Sequence, residues 1–154
     1  MQMTPYGVDF CKWTAETASL LRQGRWSETD VKHIASEIEN LGKQISREIQ
    51  SYLIRIMELL LKLQSTDDPL RTKLWQSAMV HHRIQMKLLL ADSPSLHRKL
   101  RGMMPAAYRS AVRITKPMVT KPLPAECPFT LEQLMTDRPK GQWESVRHAQ
   151  RKAK

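Results

Sequence analysis

DVKHIASEIENLGKQISREIQSYLIRIMELLLKLQ, residues 30–64, is the longest periodic segment of the chain and contains no proline. Large apolar residues recur in it at steps of three and four, which places their side chains on one face of an α-helix. The seam predicts one helix of about 52 Å at 1.5 Å per residue. Since glycine has no Cβ, Gly42 is expected to mark a close helix crossing. The seam consists of Val31, Ile34, Ile38, Leu41, Ile45, Ile49, Leu53, Ile56, Leu60 and Leu63.

Residues 9–22 and 69–91 are predicted to be the first and third helices. The first is followed by Gly24, a residue suited to the left-handed conformation found just after a helix C-terminus. The third begins after Asp68 with Pro69 in its first turn, where the missing N–H would be unsatisfied in any case. A broad apolar stripe predicts that this helix is well buried. The stripe consists of Leu70, Leu74, Trp75, Ala78, Met79, Met86, Leu88, Leu89 and Leu90.

Residues 94–116 are predicted to be a fourth helix, which the capping device Asp92-Ser93-Pro94 opens. Gly102 and Pro105 are expected to break or kink it, because Pro105 removes a backbone donor. One face of the fourth helix is apolar, so we expect that face to pack in the core. Its residues are Leu96, Leu100, Met103, Ala107, Ala111 and Ile114.

The predicted fold class is all-α, an antiparallel bundle of four main helices plus a short C-terminal helix over residues 131–135. A capping box of Thr130 and Gln133 marks the start of the short helix. Few residues connect the long helices, which favours antiparallel neighbours. We expect a single helical domain over residues 1–136 and a basic C-terminal tail over residues 137–154.

Positive charge is concentrated in the second half of the chain. Residues 93–154 hold thirteen Lys and Arg against four Asp and Glu, a net charge of +9, and residues 1–92 hold +1. Such a surface suits plain solvation or binding to a polyanion such as nucleic acid. On a helical wheel the five candidates before residue 117 lie within about 120° of one another. The polyanion-binding candidates are Arg98, Arg101, Arg109, Arg113, Lys116, Arg138, Lys140, Arg147 and Arg151.

Sequence motifs typical of enzymes do not occur in this chain. Five glycines form neither a phosphate-cradling loop nor a dinucleotide fingerprint, and G-x-S-x-G is missing. His33 and Glu37, one helical turn apart, are weak candidates for metal ligands, but their spacing matches no recognised metal motif. We therefore expect no metal or cofactor and favour a non-enzymatic role.

The two cysteines and the N-terminus indicate the cellular compartment in which we expect the protein. Cys11 and Cys127 are interpreted as reduced thiols, because the N-terminus has neither the basic nor the apolar region of an export signal. No apolar stretch approaches the ~20 residues that a membrane span requires. We expect a cytoplasmic protein.

Several motifs, in order along the chain, resemble a bacterial family known as domain of unknown function 29. The resemblance covers roughly residues 6–135, and the tail departs from the family's pattern. The resemblance implies an all-helical fold and a bacterial, cytoplasmic protein, and it assigns no catalytic or binding residues. The motifs are YGVDFCKW (6–13), LLRQG (20–24), EIENLG (37–42), LLKLQ (60–64), DSPSL (92–96), AYR (107–109) and ECPFTLEQL (126–134).

Two functions remain open at this point. The first is an interaction module whose protein partner covers an exposed part of the long helix. The second is binding of DNA or RNA through the basic face of residues 93–154. A helix of about 52 Å is longer than neighbours of about 33 Å can cover, so we also expect a homodimer.

Overall fold

The computed structural model describes residues 4–136, and these contain five α-helices and no β-strand. None of the helices in this range is both long and apolar enough to cross a membrane. The all-α prediction is confirmed. Short 3-10 helices cover Trp26–Glu28, Pro94–Lys99 and Lys116–Met118. The α-helices are α1 Phe10–Arg22, α2 Val31–Gln64, α3 Pro69–Asp92, α4 Leu100–Thr115 and α5 Leu131–Met135.

Local capping chemistry explains where several helices begin and end. Gly24, just after α1, has a φ of 72°, a conformation that costs glycine little because it has no Cβ. The Asp68 carboxylate accepts a hydrogen bond from the Leu70 N–H at 2.9 Å and so caps α3. Thr130 and Gln133 exchange the two hydrogen bonds of a capping box at α5. These predicted caps are confirmed.

The described residues group into two compact units. The first ends at Gln44 and the second begins at Ile45, so each unit contains part of α2. The first unit includes α1, which buries Trp13 and Leu20 on one face. A single domain over residues 1–136 stays a prediction, and the predicted tail lies outside the described residues.

The hydrophobic core of the second unit is built around the C-terminal part of α2. Ile49, Leu53 and Ile56 are fully buried there and continue the seam predicted from the sequence. Side chains from the other elements of this unit complete the same core. They are Met79, Met86, Leu90, Leu96, Leu100, Ala107, Tyr108, Ala111, Phe129 and Leu134.

The N-terminal part of the α2 seam is exposed, unlike its C-terminal part. Val31, Ile38 and Leu41 are all exposed, because α1 is only 13 residues long and meets α2 at His33 instead. The helix crossing expected at Gly42 is not found within the first unit. A Cβ built there would meet nothing within 4 Å in that unit beyond its neighbours along the helix.

The prediction that α3 is well buried is wrong for three of the nine apolar residues on which it rests. Leu70, Leu74 and Leu88 are exposed, whereas Met79 and Met86 on the opposite side are buried. An α-helix that packs against a core on one side presents its other side to solvent. The stripe predicted from the sequence contains residues from both of these sides.

The predicted fourth helix, residues 94–116, is three elements in the structure. Its first part, Pro94–Lys99, is a 3-10 helix, in which the Leu96 N–H bonds to the Ser93 carbonyl. The side-chain cap expected from Asp92-Ser93-Pro94 is wrong, because the Ser93 side chain makes no capping hydrogen bond. The α-helix starts at Leu100 and is not broken at Pro105. Core burial on both sides of Pro105 offsets the roughly 3 kcal/mol that a proline costs inside a helix.

Ile114 was also misassigned, since it is 40% exposed instead of lying on the buried face of α4. The buried residues in the last turns of that helix are Ala111 and Thr115. The 3-10 helix that ends at Met118 carries Lys116, the last residue of the predicted helix.

Arg83 is the least expected member of the second unit's interior, at 1% exposed. Its Nε donates to the Leu134 carbonyl and its Nη2 to the Gln133 carbonyl, each at 2.9 Å. These carbonyls lie near the C-terminus of α5, where a helix leaves carbonyl oxygens without partners and carries partial negative charge. Arg83 therefore attaches the five-residue helix α5 to α3.

We predict that Arg83→Met lowers the free energy of unfolding by about 2–4 kcal/mol, because two carbonyl oxygens lose a charged donor. Urea denaturation followed by circular dichroism measures the change. The control is Arg113→Met on the exposed side of α4, expected to stay within about 0.5 kcal/mol of wild type. Equal stabilities of the Arg83 variant and wild type would contradict the bridging role of Arg83.

Candidate interaction surfaces

One side of α3 carries four large apolar side chains that are half or more exposed. All four lie on a single heptad seam, whose two middle positions are Ser77 and His81. We term this set the α3 stripe. It consists of Leu70 (67% exposed), Leu74 (60%), Ile84 (50%) and Leu88 (55%).

The α3 stripe is flanked mainly by positive charge. Lys73 and Lys87 each precede a leucine of the stripe, and neither has an ion-pair partner within residues 4–136. Arg71 is paired with Asp68, at 3.4 Å between Nε and Oδ2. The only carboxylate of α3 itself is Asp92, its last residue. The flanks therefore offer unneutralised cations beside an apolar surface.

Sequence reasoning missed the α3 stripe, although a signal was present. The exposed leucines and Ile84 follow the heptad spacing of 70, 74, 77, 81, 84 and 88. The buried side of α3 is centred on Met79, Arg83 and Met86. A charged residue at the centre of the buried side made that side difficult to recognise from its pattern.

The predicted polyanion-binding residues before 117 are all exposed. Arg98 lies in the 3-10 helix before α4, and Lys116 lies in the one that follows it. Arg101, Arg109 and Arg113 lie on α4, away from its buried residues. The remaining candidates lie outside the described residues. They are Arg138, Lys140, Arg147 and Arg151.

A cavity of about 440 Å³ lies between α4 and the segment that follows it. Three cations line it, namely Arg109, Lys116 and Lys121, together with Thr120, and its lining includes no acidic residue. We term it the basic cavity. The sequence analysis did not select Lys121 and Thr120, although they belong to the acid-free stretch between Asp92 and Glu126. The apolar lining consists of Val112, Val119, Pro122, Leu123, Pro124 and Ala125.

Tyr108 attaches the outer wall of the basic cavity to α4. Its hydroxyl donates to the Pro124 carbonyl at 2.8 Å, and its ring meets Phe129 edge-on at 6.2 Å between centroids. Burial raises the pKa of Tyr108 above its ordinary value of 10.0, so the hydroxyl stays a donor at neutral pH. The position of the proline-rich wall therefore depends on a contact with the core.

The two candidate metal ligands, His33 and Glu37, make hydrogen bonds and ring contacts in the first unit. The His33 Nδ1 lies 2.5 Å from Asp30 Oδ2, and its ring stacks on Tyr6 with 4.1 Å between centroids. The Tyr6 hydroxyl donates to Glu37 Oε1 at 2.5 Å, which raises the pKa of Tyr6. Across residues 4–136, no group of three or more His, Cys, Asp and Glu could hold a metal ion.

A cluster of ionisable groups lies in the second unit around Glu58, which is 5% exposed. Its carboxylate accepts from Lys62 Nζ at 2.6 Å and from Arg55 Nη1 at 3.1 Å. Lys62 also lies 5.9 Å from the centroid of the Trp75 ring, within range of a cation–π contact. The ion pairs of Glu58 with Lys62 and with Arg55 compensate for the burial of the Glu58 carboxylate.

His82 adjoins this cluster, and its Nδ1 is buried without a hydrogen-bond partner among the described residues. Burial lowers the pKa of His82 below its ordinary value of 6.5. Repulsion by His81 and Arg55 lowers this pKa further, whereas Glu58 opposes the shift. The neighbouring Tyr52 ring lies 5.8 Å away between centroids. The folded chain therefore favours neutral His82.

The fold and these surfaces define a class, that of an all-α protein with an exposed apolar helix face and an acid-free basic cavity. A comparison with protein families matches residues 6–138 to Domain of unknown function DUF29. The chain belongs to this family. Comparisons with curated proteins and with solved structures gave no match.

The lowered pKa of His82 predicts a loss of stability in acid. As pH falls below 6.5 the unfolded chain takes up a proton at this residue before the folded chain does. The free energy of unfolding that neutral His82 contributes is therefore fully present above pH 6.5. It is lost as the pH falls from 6.5 towards the lower pKa that His82 has in the folded chain. We expect His82→Gln to flatten the dependence of the unfolding free energy between about pH 7.5 and pH 5.

Urea denaturation at a series of pH values measures this effect. His97→Gln is the control for the exchange of a histidine for glutamine, since His97 lies at an exposed position. If the His82 and wild-type curves stayed parallel across the range, the assignment of this proton to His82 would be wrong.

Proposed function

We propose that the chain is a non-enzymatic protein-interaction module that docks a partner helix on the α3 stripe. The observation that carries the proposal is the stripe itself, four large apolar side chains exposed at heptad spacing. Partner helices bind such surfaces through apolar residues at matching spacing. The other side of α3 contributes Met79 and Met86 to the core, which holds the stripe on a packed element.

The charges beside the stripe favour a partner with acidic flanks. Lys73 and Lys87 lie at the edges where a docked helix would place its own flanking residues. Opposite charges at these edges would favour docking, and like charges would oppose it. We therefore propose an amphipathic helix that carries leucine-like residues on one face and Glu or Asp beside them.

A second copy of this chain is a weaker candidate for the stripe. Its α3 would bring Arg71, Lys73 and Lys87 against a single acidic residue of the same helix, Asp92. The homodimer expected from the sequence is a separate proposal. The surface that supports it best is the exposed seam of α2, with Val31, Ile38 and Leu41, where acidic and basic residues are both present.

A pair of designed peptides tests the docking proposal. Each has the 24-residue length of α3, with leucine at the apolar heptad positions and either glutamate or lysine at the flanking positions. We expect fluorescence anisotropy to show binding of the glutamate peptide at least about tenfold tighter than that of the lysine peptide. Similar affinities, or no binding of the glutamate peptide, would contradict the proposal.

The double variant Leu74→Glu with Ile84→Glu should weaken binding of the glutamate peptide by more than about 100-fold, since burying each side chain contributes about 1.5–3 kcal/mol. Val31→Glu with Ile38→Glu is the matched control, because both residues are exposed on α2. This control should bind like wild type. If sedimentation showed a dimer that only the α3 variant dissociates, the occupant would be a second copy.

Nucleic-acid binding is the second candidate function. The observation that favours it is the set of exposed cations on and around α4, in a stretch without acidic residues between Asp92 and Glu126. Lysine and arginine bind phosphates by releasing condensed counterions, so the affinity falls steeply as salt rises. Such binding would depend little on base sequence.

We predict that Arg98→Glu with Arg109→Glu and Arg113→Glu abolishes any binding of labelled duplex DNA or RNA. The matched control reverses three exposed cations of the first half, Arg22, Lys32 and Lys43, and so makes the same change in net charge. Anisotropy at two salt concentrations measures both variants. If wild type fails to bind even at low salt, or both variants lose binding equally, this second function is wrong.

A further inference from the structure

The chemistry of the basic cavity is distinct from that of an evenly solvated basic surface. Arg109, Val112 and Lys116 follow one another at steps of three and four, so they lie on the same side of this helical segment. Lys121 and Thr120 face them from the segment after α4. Three cations therefore border one concave space, instead of being separated along a convex helix.

These cations are available for an added ligand. Within the described part of the chain, Arg109, Lys116 and Lys121 form no ion pair, and no acid is among the residues that line the space. The C-terminus of α4 also faces this region and carries about half a negative charge. Three full positive charges exceed that amount, so the cavity favours an anion.

We propose that the basic cavity binds the phosphate groups of a small phosphorylated molecule. Its volume of about 440 Å³ lies in the range of small-molecule sites. The guanidinium of Arg109 suits two phosphate oxygens at once, and the lysines supply point charges. The Thr120 hydroxyl is a further donor.

The rest of the lining indicates what is attached to the phosphate. Val112, Val119 and Leu123 provide an apolar wall, and Pro122 and Pro124 have no backbone N–H. Such a wall contacts an apolar or flat group, not a second charged one. A nucleotide has this combination of a phosphate end and a flat base, and it is therefore a suitable probe of the cavity.

This site is independent of the α3 stripe and does not require a protein partner. It overlaps the proposed nucleic-acid surface at Arg109 and Lys116, but Arg98, Arg101 and Arg113 of that surface do not line the cavity. The chain therefore offers two sets of cations, one inside the cavity and one outside it. Replacing each set separately distinguishes a phosphate site from general attraction to polyanions.

Isothermal titration calorimetry of the full chain with pyrophosphate and with ATP, at low salt, is the test. We expect both probes to bind, ATP more tightly because its base contacts the apolar wall. Lys116→Gln and Lys121→Gln should each weaken binding by about tenfold, the loss expected for one hydrogen bond to a charged group. The control variants Arg98→Gln and Arg101→Gln should change the affinity less than twofold.

A parallel titration with a 20-base-pair DNA duplex distinguishes the two sources of phosphate. The proposal predicts that the cavity variants bind pyrophosphate and ATP about tenfold more weakly than wild type, whatever affinity they keep for the duplex. It is overturned if neither small probe binds, or if the control variants weaken their binding as much as the cavity variants do. It is also overturned if the cavity variants lose only duplex binding.

Chemical-shift mapping of the wild-type chain guards against variants that fail to fold. Addition of pyrophosphate should shift the amide resonances of Val112, Val119 and Thr120 more than those of the exposed residues Arg98 and Arg101. Shifts spread evenly over all basic residues, with no concentration at the cavity, would contradict the site without reference to any variant.

Discussion

The hydrogen bonds from Arg83 to the end of α5 decide which side of α3 faces the core of the second unit. A guanidinium at 1% exposure needs fixed acceptors, and the carbonyls of Gln133 and Leu134 are among them. Once Arg83 is directed inward, Met79 and Met86 follow, because they lie one helical turn away on the same side. The side with Leu74 and Ile84 is then directed to solvent. The interaction surface of α3 therefore depends on a polar contact made elsewhere.

The cation-rich end of the second unit depends on a similar polar contact. The Tyr108 hydroxyl bonds to the Pro124 carbonyl, and this holds the proline-rich segment beside α4. Leu123 of the same segment packs against the core, so the hydrogen bond and this contact together fix the position of Lys121 relative to Arg109 and Lys116. In both places a buried polar side chain satisfies a carbonyl of an irregular or short segment, and the neighbouring surface takes its form as a result. Such bonds are costly to lose, because the partner is then left buried and unpaired.

Much of the helical architecture could be predicted from local chemistry alone. Asp68 and the pair Thr130–Gln133 start helices through hydrogen bonds within a few residues, so their effect is visible in the sequence. The orientation of α3 could not be predicted in this way. It depends on Arg83, whose acceptors lie about fifty residues further along the chain. For the basic cavity, the sequence predicts only the excess of positive charge. The concave shape could not be predicted, because the approach of Lys121 to α4 is likewise a tertiary contact.

Labelling of single cysteines measures the orientation of α3 most directly. In a chain without its two native cysteines, Leu74→Cys and Ile84→Cys place a thiol on the α3 stripe, and Met79→Cys and Met86→Cys place one on the opposite side. The account predicts that the thiols at 74 and 84 react with a maleimide at nearly the rate of an unfolded peptide. Those at 79 and 86 should react only as fast as the chain unfolds. Rapid reaction at 79 and 86 with protection at 74 and 84 would contradict the account.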